Sequence, residues 1–177
     1  MKLGRGGWLS GVRRVASPNC DARPPGMPVE LLVIHNISLP PRQFGGGEIV
    51  RLFTNTLDTG AHPFFSRLRE LKVSAHFLVR RDGEIIQFVA CGKRAWHAGV
   101  SRWQGRTACN DFSIGIEMEG SDEDPFESRQ YTALVRLTRL LKRTYPIRAI
   151  VGHADIAPER KTDPGPYFDW ERYIEAL

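Results

Sequence analysis

The run Leu31-Leu32-Val33-Ile34-His35-Asn36 is apolar over four residues and then ends in two polar ones. A short apolar run of this kind favours a strand that is buried on both faces of a sheet. Pro40-Pro41 follows, and proline cannot continue the hydrogen-bonded ladder of a central strand. The pattern therefore predicts a core strand with His35 at its end.

Two further segments are predicted to be strands. Ala149-Ile150-Val151 is a short apolar run that leads into Gly152-His153, so a second histidine lies at a strand end. Ser113–Glu119 alternates between two faces, which carry Ile114, Ile116 and Met118 on one side and Gly115, Glu117 and Glu119 on the other. Two carboxylates are thus expected on one face of the same strand.

A hairpin and helices complete the predicted fold. The turn Arg81-Asp82-Gly83 between Ser74–Arg80 and Glu84–Val89 is typical of an antiparallel pair. Apolar residues recur at helical spacing from Ser128 to Tyr145, before Pro146. A short helix over residues 49–53 follows an adaptable Gly45–Gly47 loop, and Asp169 caps a helix over 170–177. Strands interleaved with helices indicate an α/β (mixed α+β) fold with a partly antiparallel sheet.

Length and composition predict one soluble domain. The chain has 177 residues, of which 41% are hydrophobic and 25% charged, so we expect a single domain over 1–177. Its core should span about 29–170, because residues 18–28 are rich in proline and glycine and predict irregular chain. The sequence contains neither a secretory signal pattern nor an apolar run long enough for a membrane span. Three cysteines without a Cys-x-x-Cys pair fit a reduced compartment, and we expect a cytoplasmic monomer.

The basic residues do not predict a nucleic-acid partner. The formal net charge is +5, which favours anionic ligands in general. The cations are scattered in pairs along the chain, without the interleaved aromatic residues of a nucleic-acid surface. A nucleic-acid binder is therefore the weaker interpretation.

Histidines at two strand ends indicate a metal site. His35 and His153 would converge at one edge of a sheet, and the loop after His153 offers Asp155 and Asp163 as a third ligand. Three protein ligands leave one position open, which is typical of catalytic rather than structural zinc. Spacing alone leaves the choice between the two aspartates open.

A base and a cation would complete a hydrolytic site. Glu117 projects from the strand face that includes Gly115, which leaves space above it, and Lys161 lies two residues before Asp163. The alternative is that Glu117 and Glu119 form a solvated sheet face and that Lys161 is an ordinary surface lysine. The residues alone favour neither interpretation.

The chain resembles a known family over nearly its whole length. The segments LLVIHNISLPP, VSAHFLVRRDGEI, RAWHAGVS, CNDFSIGIEMEG and GHADIAPERKTDPGP occur in the order of the AmpD-type amidases, in the N-acetylmuramoyl-L-alanine amidase type 2 family. The resemblance implies the fold of peptidoglycan recognition proteins and T7 lysozyme, a central mixed sheet flanked by helices. It also implies one zinc ion per chain, with His35, His153 and Asp163 as ligands and Glu117 and Lys161 as catalytic residues.

The resemblance further implies a reaction and a substrate. The substrate would be an anhydro-muropeptide, cleaved at the lactyl amide bond between the muramyl sugar and L-alanine during cell-wall recycling, with an indirect effect on β-lactamase induction. Substrate contacts are predicted for five residues: Asn36, Lys72, Trp96, His97 and Arg106. Two alternatives remain, a muropeptide-binding module without activity and an amidase that acts on intact peptidoglycan.

Overall fold

A mixed six-stranded β-sheet forms the centre of the computed structural model, which describes residues Met1–Leu177. The strands are β1 (Lys2–Leu3), β2 (Leu9–Ser10), β3 (Arg13–Arg14), β4 (Cys20–Ala22), β5 (Leu31–Ile37), β6 (Phe77–Val79), β7 (Ile85–Gln87), β8 (Lys93–Ala95), β9 (Arg102–Trp103), β10 (Arg106–Thr107), β11 (Ser113–Glu119) and β12 (Ala149–Gly152). The helices are α1 (Glu48–Phe53), α2 (Ser128–Thr144), α3 (His153–Ile156) and α4 (Trp170–Glu175), with 3₁₀ turns at Pro63–Leu68 and Cys109–Asp111.

The order of strands in the central sheet is β12-β5-β11-β6-β7-β3. The first four strands are parallel, β7 is antiparallel to β6, and β3 is parallel to β7. The register of β5 and β11 places Glu117 directly opposite His35, and β12 pairs Gly152 with Ile34. The sheet topology therefore brings residues that are far apart in the chain into one row.

Apolar side chains cover both faces of the sheet. Helix α2 packs through Leu134, Leu137 and Leu141 against one face, in a cluster with Ile34 and Ile116. A second cluster beside β6 and β7 includes Phe53, Leu78 and Phe88, and a third holds Leu31, Val33 and Val151. Because both faces are covered, all seven residues of β11 are buried, and Leu31–His35 of β5 are buried as their apolar run predicted.

Most of the predicted elements are confirmed. The hairpin pairs Val79 with Ile85, and α2 ends at Thr144, ahead of Pro146. Gln130 caps the start of α2 by accepting a hydrogen bond from the Glu127 amide (2.9 Å), and Asp169 caps α4 through the Arg172 amide (2.9 Å). None of the helices has both the length and the apolar composition that crossing a bilayer requires.

Three local predictions are wrong. Regular structure begins before residue 28, because β3 extends the central sheet and β4 pairs with β8. These strands are only two or three residues long, so they carry no periodic signal. The stretch after Gly152 begins with helix α3 rather than a loop, and β5 continues for two residues beyond His35.

Candidate metal centre and active site

Three side chains form a row across the edge of the parallel sheet. His35 lies on β5, Glu117 lies opposite it on β11, and His153 follows the last residue of β12 on the other side. Parallel strands bring these positions to one edge, where α/β sheets commonly bind ligands. His35 and His153 therefore converge at one edge of the sheet, as their positions after apolar strand segments predicted.

The two histidines meet Asp163 at one point. The Nδ1 atoms of His35 and His153 are 3.0 Å apart, and Asp163 Oδ2 lies 3.0 Å from each of them. Asp163 is carried by the loop after α3, whose backbone is tied back by a 2.9 Å hydrogen bond from the Ala154 amide to the Asp163 carbonyl. This triad is a group of residues that could hold a metal ion.

The donor atoms of the triad fit a divalent cation. His153 Nε2 lies 3.2 Å from the carbonyl oxygen of Ala98, which can only accept, so the ring proton is on Nε2 and a lone pair is on Nδ1. That lone pair faces a carboxylate oxygen, and two acceptors at this separation repel unless a cation or a proton lies between them. Burial lowers the pKa of His35 to about 4, so this imidazole is neutral at pH 7, as a metal ligand must be.

Glu117 is buried beside the triad without a hydrogen-bond partner for one oxygen. Its exposed fraction is 9%, and Oε2 has no donor within reach. Burial, together with the charge of Asp163, raises the pKa of Glu117 well above its usual value, although Lys161 opposes the shift. A carboxyl group with a raised pKa can both accept and return a proton near neutral pH. The interpretation of Glu117 and Glu119 as a solvated face is wrong, because both are buried.

A cleft of about 580 Å³ opens onto these groups. Lys161, Lys72 and Trp96 line it together with the triad and Glu117. One wall is apolar and includes Phe64 and Leu71. The cleft thus combines a metal-binding set, a carboxylate and two lysines with a partly apolar surface.

Asn36 and Arg106, which were also predicted to contact the substrate, lie in two different environments. Asn36 lines the cleft, but both hydrogens of its amide group are used by Asp122 Oδ1 (2.6 Å) and the Pro164 carbonyl (3.0 Å). Arg106 is not among the residues that line the cleft; it binds Glu30 (2.8 Å) and covers the ring of Phe112. The Asn36 amide hydrogens and Arg106 therefore contact the protein itself.

His97 lies in the irregular segment after β8, as predicted, and lines the cleft, but most of its ring is buried against His35. Its exposed fraction is 8%, and its Nδ1 lies 3.0 Å from His35 Nε2. The space above Gly115 is also filled, because a Cβ at Gly115 would lie 2.4 Å from His97 Cγ. The expectation that Gly115 leaves room beside Glu117 is therefore wrong: the room is occupied by an imidazole.

Arg160 is a residue of the cleft that the sequence did not predict, and residue spacing alone left Asp155 and Asp163 as alternatives, of which the family resemblance favoured Asp163. Arg160 lines the cleft and donates to the carbonyl oxygens of Ala98 (2.9 Å) and Val100 (2.8 Å). No pattern in the sequence distinguishes it from the other surface arginines. Asp155 accepts a 2.7 Å hydrogen bond from the Gly152 amide at the start of α3, so this carboxylate is used as a cap, away from the triad.

Comparison with known proteins identifies the family. The family model for N-acetylmuramoyl-L-alanine amidase matches residues 25–166. A curated relative from Escherichia coli strain K12, named 1,6-anhydro-N-acetylmuramyl-L-alanine amidase AmpD, is 59% identical over 169 residues, which cover 94% of this chain and 92% of the relative. The chain therefore belongs to the N-acetylmuramoyl-L-alanine amidase family, a family of amide hydrolases, as the resemblance implied.

Solved structures confirm the fold. A crystal structure of a selenomethionine AmpD derivative matches with a TM-score of 0.97 at 55% identity, covering 100% of this chain and 99% of that one. The amidase AmiD from E. coli, solved with the substrate anhydro-N-acetylmuramic acid-L-Ala-D-gamma-Glu-L-Lys, matches with a TM-score of 0.62 at 31% identity, covering 98% of this chain and 65% of that one. The mixed sheet flanked by helices is thus the fold of this family.

Proposed function

We propose that the chain is a zinc-dependent amidase that hydrolyses the lactyl amide bond between (1,6-anhydro-)N-acetylmuramic acid and L-alanine of muropeptides. The observation that carries the proposal is the meeting of three metal-binding atoms at 3.0 Å beside the unpartnered carboxylate of Glu117. A relative with 59% identity carries this activity in its name, and AmiD was solved with a substrate of this kind. The proposed setting is cytoplasmic peptidoglycan recycling by a monomer, with an indirect effect on β-lactamase induction.

The proposed ligands are His35, His153 and Asp163. Two imidazole nitrogens and a carboxylate oxygen suit Zn²⁺, and three protein ligands match the open coordination of catalytic sites. Zinc supplies Lewis acidity, which acidifies water and polarises a carbonyl group. Other divalent ions accept the same donor set, so the choice of zinc rests on the family resemblance.

Glu117 is proposed as the group that moves the proton. It takes a proton from the attacking water at a carboxylate oxygen and returns it to the alanine nitrogen as the carbon–nitrogen bond breaks. Burial in the cleft supports this role, because a desolvated carboxylate holds a proton more readily than one in water. The orphaned Oε2 atom supports it further, since no protein donor competes for that oxygen.

Lys161 is proposed to stabilise the negative charge that develops on the carbonyl oxygen. Its side chain lines the same cleft as Glu117 and the triad. A fixed positive charge in a partly desolvated site stabilises an oxyanion more than water does. Lys72 is proposed to attract the carboxylates of the peptide, and the half-buried face of Trp96 to contact the sugar.

Mass spectrometry of the products tests the proposal. The purified chain is incubated with an anhydro-muropeptide and with intact peptidoglycan, with and without a chelator. We expect chelator-sensitive release of the free peptide from the anhydro-muropeptide. Glu117→Gln should lower turnover by about 10²- to 10⁴-fold, while the exposed Glu159→Gln leaves it unchanged.

The alternatives have distinct outcomes in the same experiment. Binding of the muropeptide without cleavage would indicate a recognition module, and faster cleavage of intact peptidoglycan would indicate a wall-degrading amidase. Normal turnover of zinc-loaded Glu117→Gln would contradict the role of Glu117.

A further inference from the structure

A chain of buried polar side chains continues from His35 into the protein. His35 Nε2 lies 3.0 Å from His97 Nδ1, and His97 Nε2 lies 3.1 Å from Ser113 Oγ. His97 is 8% exposed and Ser113 is fully buried, so water does not compete for these contacts. His35 uses its other nitrogen, Nδ1, to face His153 and Asp163. The two ring nitrogens of His35 thus serve two different partners.

The hydrogens in this chain can be arranged in two ways. In one, His35 Nε2 donates to His97 Nδ1 and His97 Nε2 donates to Ser113 Oγ, which leaves a lone pair on His35 Nδ1. In the other, the serine hydroxyl donates to His97, His97 donates to His35, and the proton of His35 sits on Nδ1. Only the first arrangement leaves Nδ1 free for a metal ion.

The same short segment also orients the second histidine ligand. The carbonyl oxygen of Ala98, the residue after His97, lies 3.2 Å from His153 Nε2. Asn110 Oδ1 accepts from the backbone amides of both His97 (3.2 Å) and Ala98 (2.9 Å). The Asn110 side chain therefore holds the segment that contacts both His35 Nε2 and His153 Nε2.

The ring of His97 is packed against Gly115 and His35. The ring of His97 lies against Gly115, where a Cβ would come within 2.4 to 2.7 Å of three of its atoms. It meets the His35 ring edge-on, with centroids 5.1 Å apart and an interplanar angle of 85°. Only glycine at position 115 leaves room for the ring in this place.

We propose that His97, anchored by Ser113, is a positioning residue that holds His35 as an Nδ1 metal donor, and that the Ala98 carbonyl does the same for His153. The inference rests on the proposed function in that it takes His35 and His153 as zinc ligands. It assigns His97 to the metal centre, whereas the sequence predicted a substrate contact. Acceptors on the outer nitrogen of a ligating histidine fix its tautomer and its ring orientation.

Zinc affinity of the purified chain tests the proposal without any substrate. Free zinc is titrated against a chromophoric chelator for the wild type, His97→Phe, His97→Asn and Ser113→Ala. We expect His97→Phe to weaken zinc binding about 10- to 100-fold, because phenylalanine keeps the ring but accepts no hydrogen bond. His97→Asn should keep most of the affinity, because Asn Oδ1 occupies the position of His Nδ1. Ser113→Ala should weaken binding less than His97→Phe. His62→Asn, distant from the triad at the start of the Pro63–Leu68 turn, is the control.

A second readout follows the proton itself. Two-bond ¹H–¹⁵N spectra of the zinc-loaded chain should show a proton on His35 Nε2 that exchanges slowly in the wild type and His97→Asn, and rapidly in His97→Phe. Wild-type zinc affinity in folded His97→Phe, or equal losses in His97→Asn and His97→Phe, would overturn the proposal. A wild-type chain that binds no zinc would overturn the proposed function as well, so the two failures are distinguishable.

Discussion

Replacing Gly115 with alanine is a sharp test of how the strand β11 supports the metal centre. The added Cβ would lie 2.4 Å from His97 Cγ, 2.5 Å from Nδ1 and 2.7 Å from Cδ2. An ordinary contact between carbon atoms is about 3.5 Å or more, so the ring must move by about 1 Å. The backbone of strand β11 cannot move away instead, because it is hydrogen-bonded on both sides, to β5 and to β6.

The expected cost follows from that displacement. A shift of about 1 Å would lengthen the 3.0 Å contact between His97 Nδ1 and His35 Nε2 beyond hydrogen-bond range. Overpacking of this kind costs about 1–3 kcal/mol. In a chain of this length, about 2 kcal/mol corresponds to a fall in melting temperature of about 4–8 °C. We also expect zinc affinity to fall, because His35 loses its acceptor.

Thermal unfolding and zinc titration measure both effects. Gly92→Ala is the matched control, since a Cβ there meets no atom within 4 Å. If Gly115→Ala melted within about 1 °C of the control and bound zinc equally well, the packing argument for His97 would be refuted.

Three further predictions concern stability, pH and the metal. Glu119→Gln removes the buried anion that binds Arg80 (3.3 Å) and the Gly45 amide (2.8 Å), so urea denaturation should show a loss of about 3–5 kcal/mol. The exposed Glu123→Gln should cost at most about 1 kcal/mol, and equal losses would contradict the argument. Burial lowers the pKa of His76 to about 3 from 6.5, so the unfolded chain binds a proton that the folded chain excludes. The free energy of unfolding should therefore fall as pH drops from 6.5 towards 3. His76→Gln should reduce the slope of the unfolding free energy against pH by up to about 1.4 kcal/mol per pH unit, and an unchanged slope would contradict this contribution of His76. A chelator should lower the melting temperature. Free zinc at a hundred times its dissociation constant should raise the free energy of unfolding by about 2.7 kcal/mol, and a melting temperature that does not change with zinc would exclude a site in the folded state.

The strongest local patterns predicted their elements correctly. The apolar run of β5, the alternation of β11 and the helical period of α2 each depend on neighbours within a few residues, and each element is present. The two-residue strand β3 was not predictable in this way. It forms because its backbone pairs with the edge of β7, which lies far along the chain. The local sequence carries no pattern that predicts this pairing.

The catalytic candidates were only partly predictable. The alternation of β11 predicts that Glu117 and Glu119 lie on one face. It does not predict their burial, which depends on what packs over that face. The position of His97 after Trp96 in an irregular segment predicts a contact with the substrate. Its contact with His35 Nε2 depends on the folded path of that segment and on the space left by Gly115.

The family, the strands that carry His35 and Glu117, and the types of residue available for a metal centre can all be inferred from the sequence. That the ligand atoms lie within 3.0 Å of one another is visible only in the folded chain. Spacing does not distinguish Asp155 from Asp163, although the family resemblance favours Asp163; in the structure the first caps α3, while the second lies 3.0 Å from both imidazoles. Metal coordination needs atoms within a few ångströms of one another, and parallel strand pairing brings the two histidines that close although they are more than a hundred residues apart.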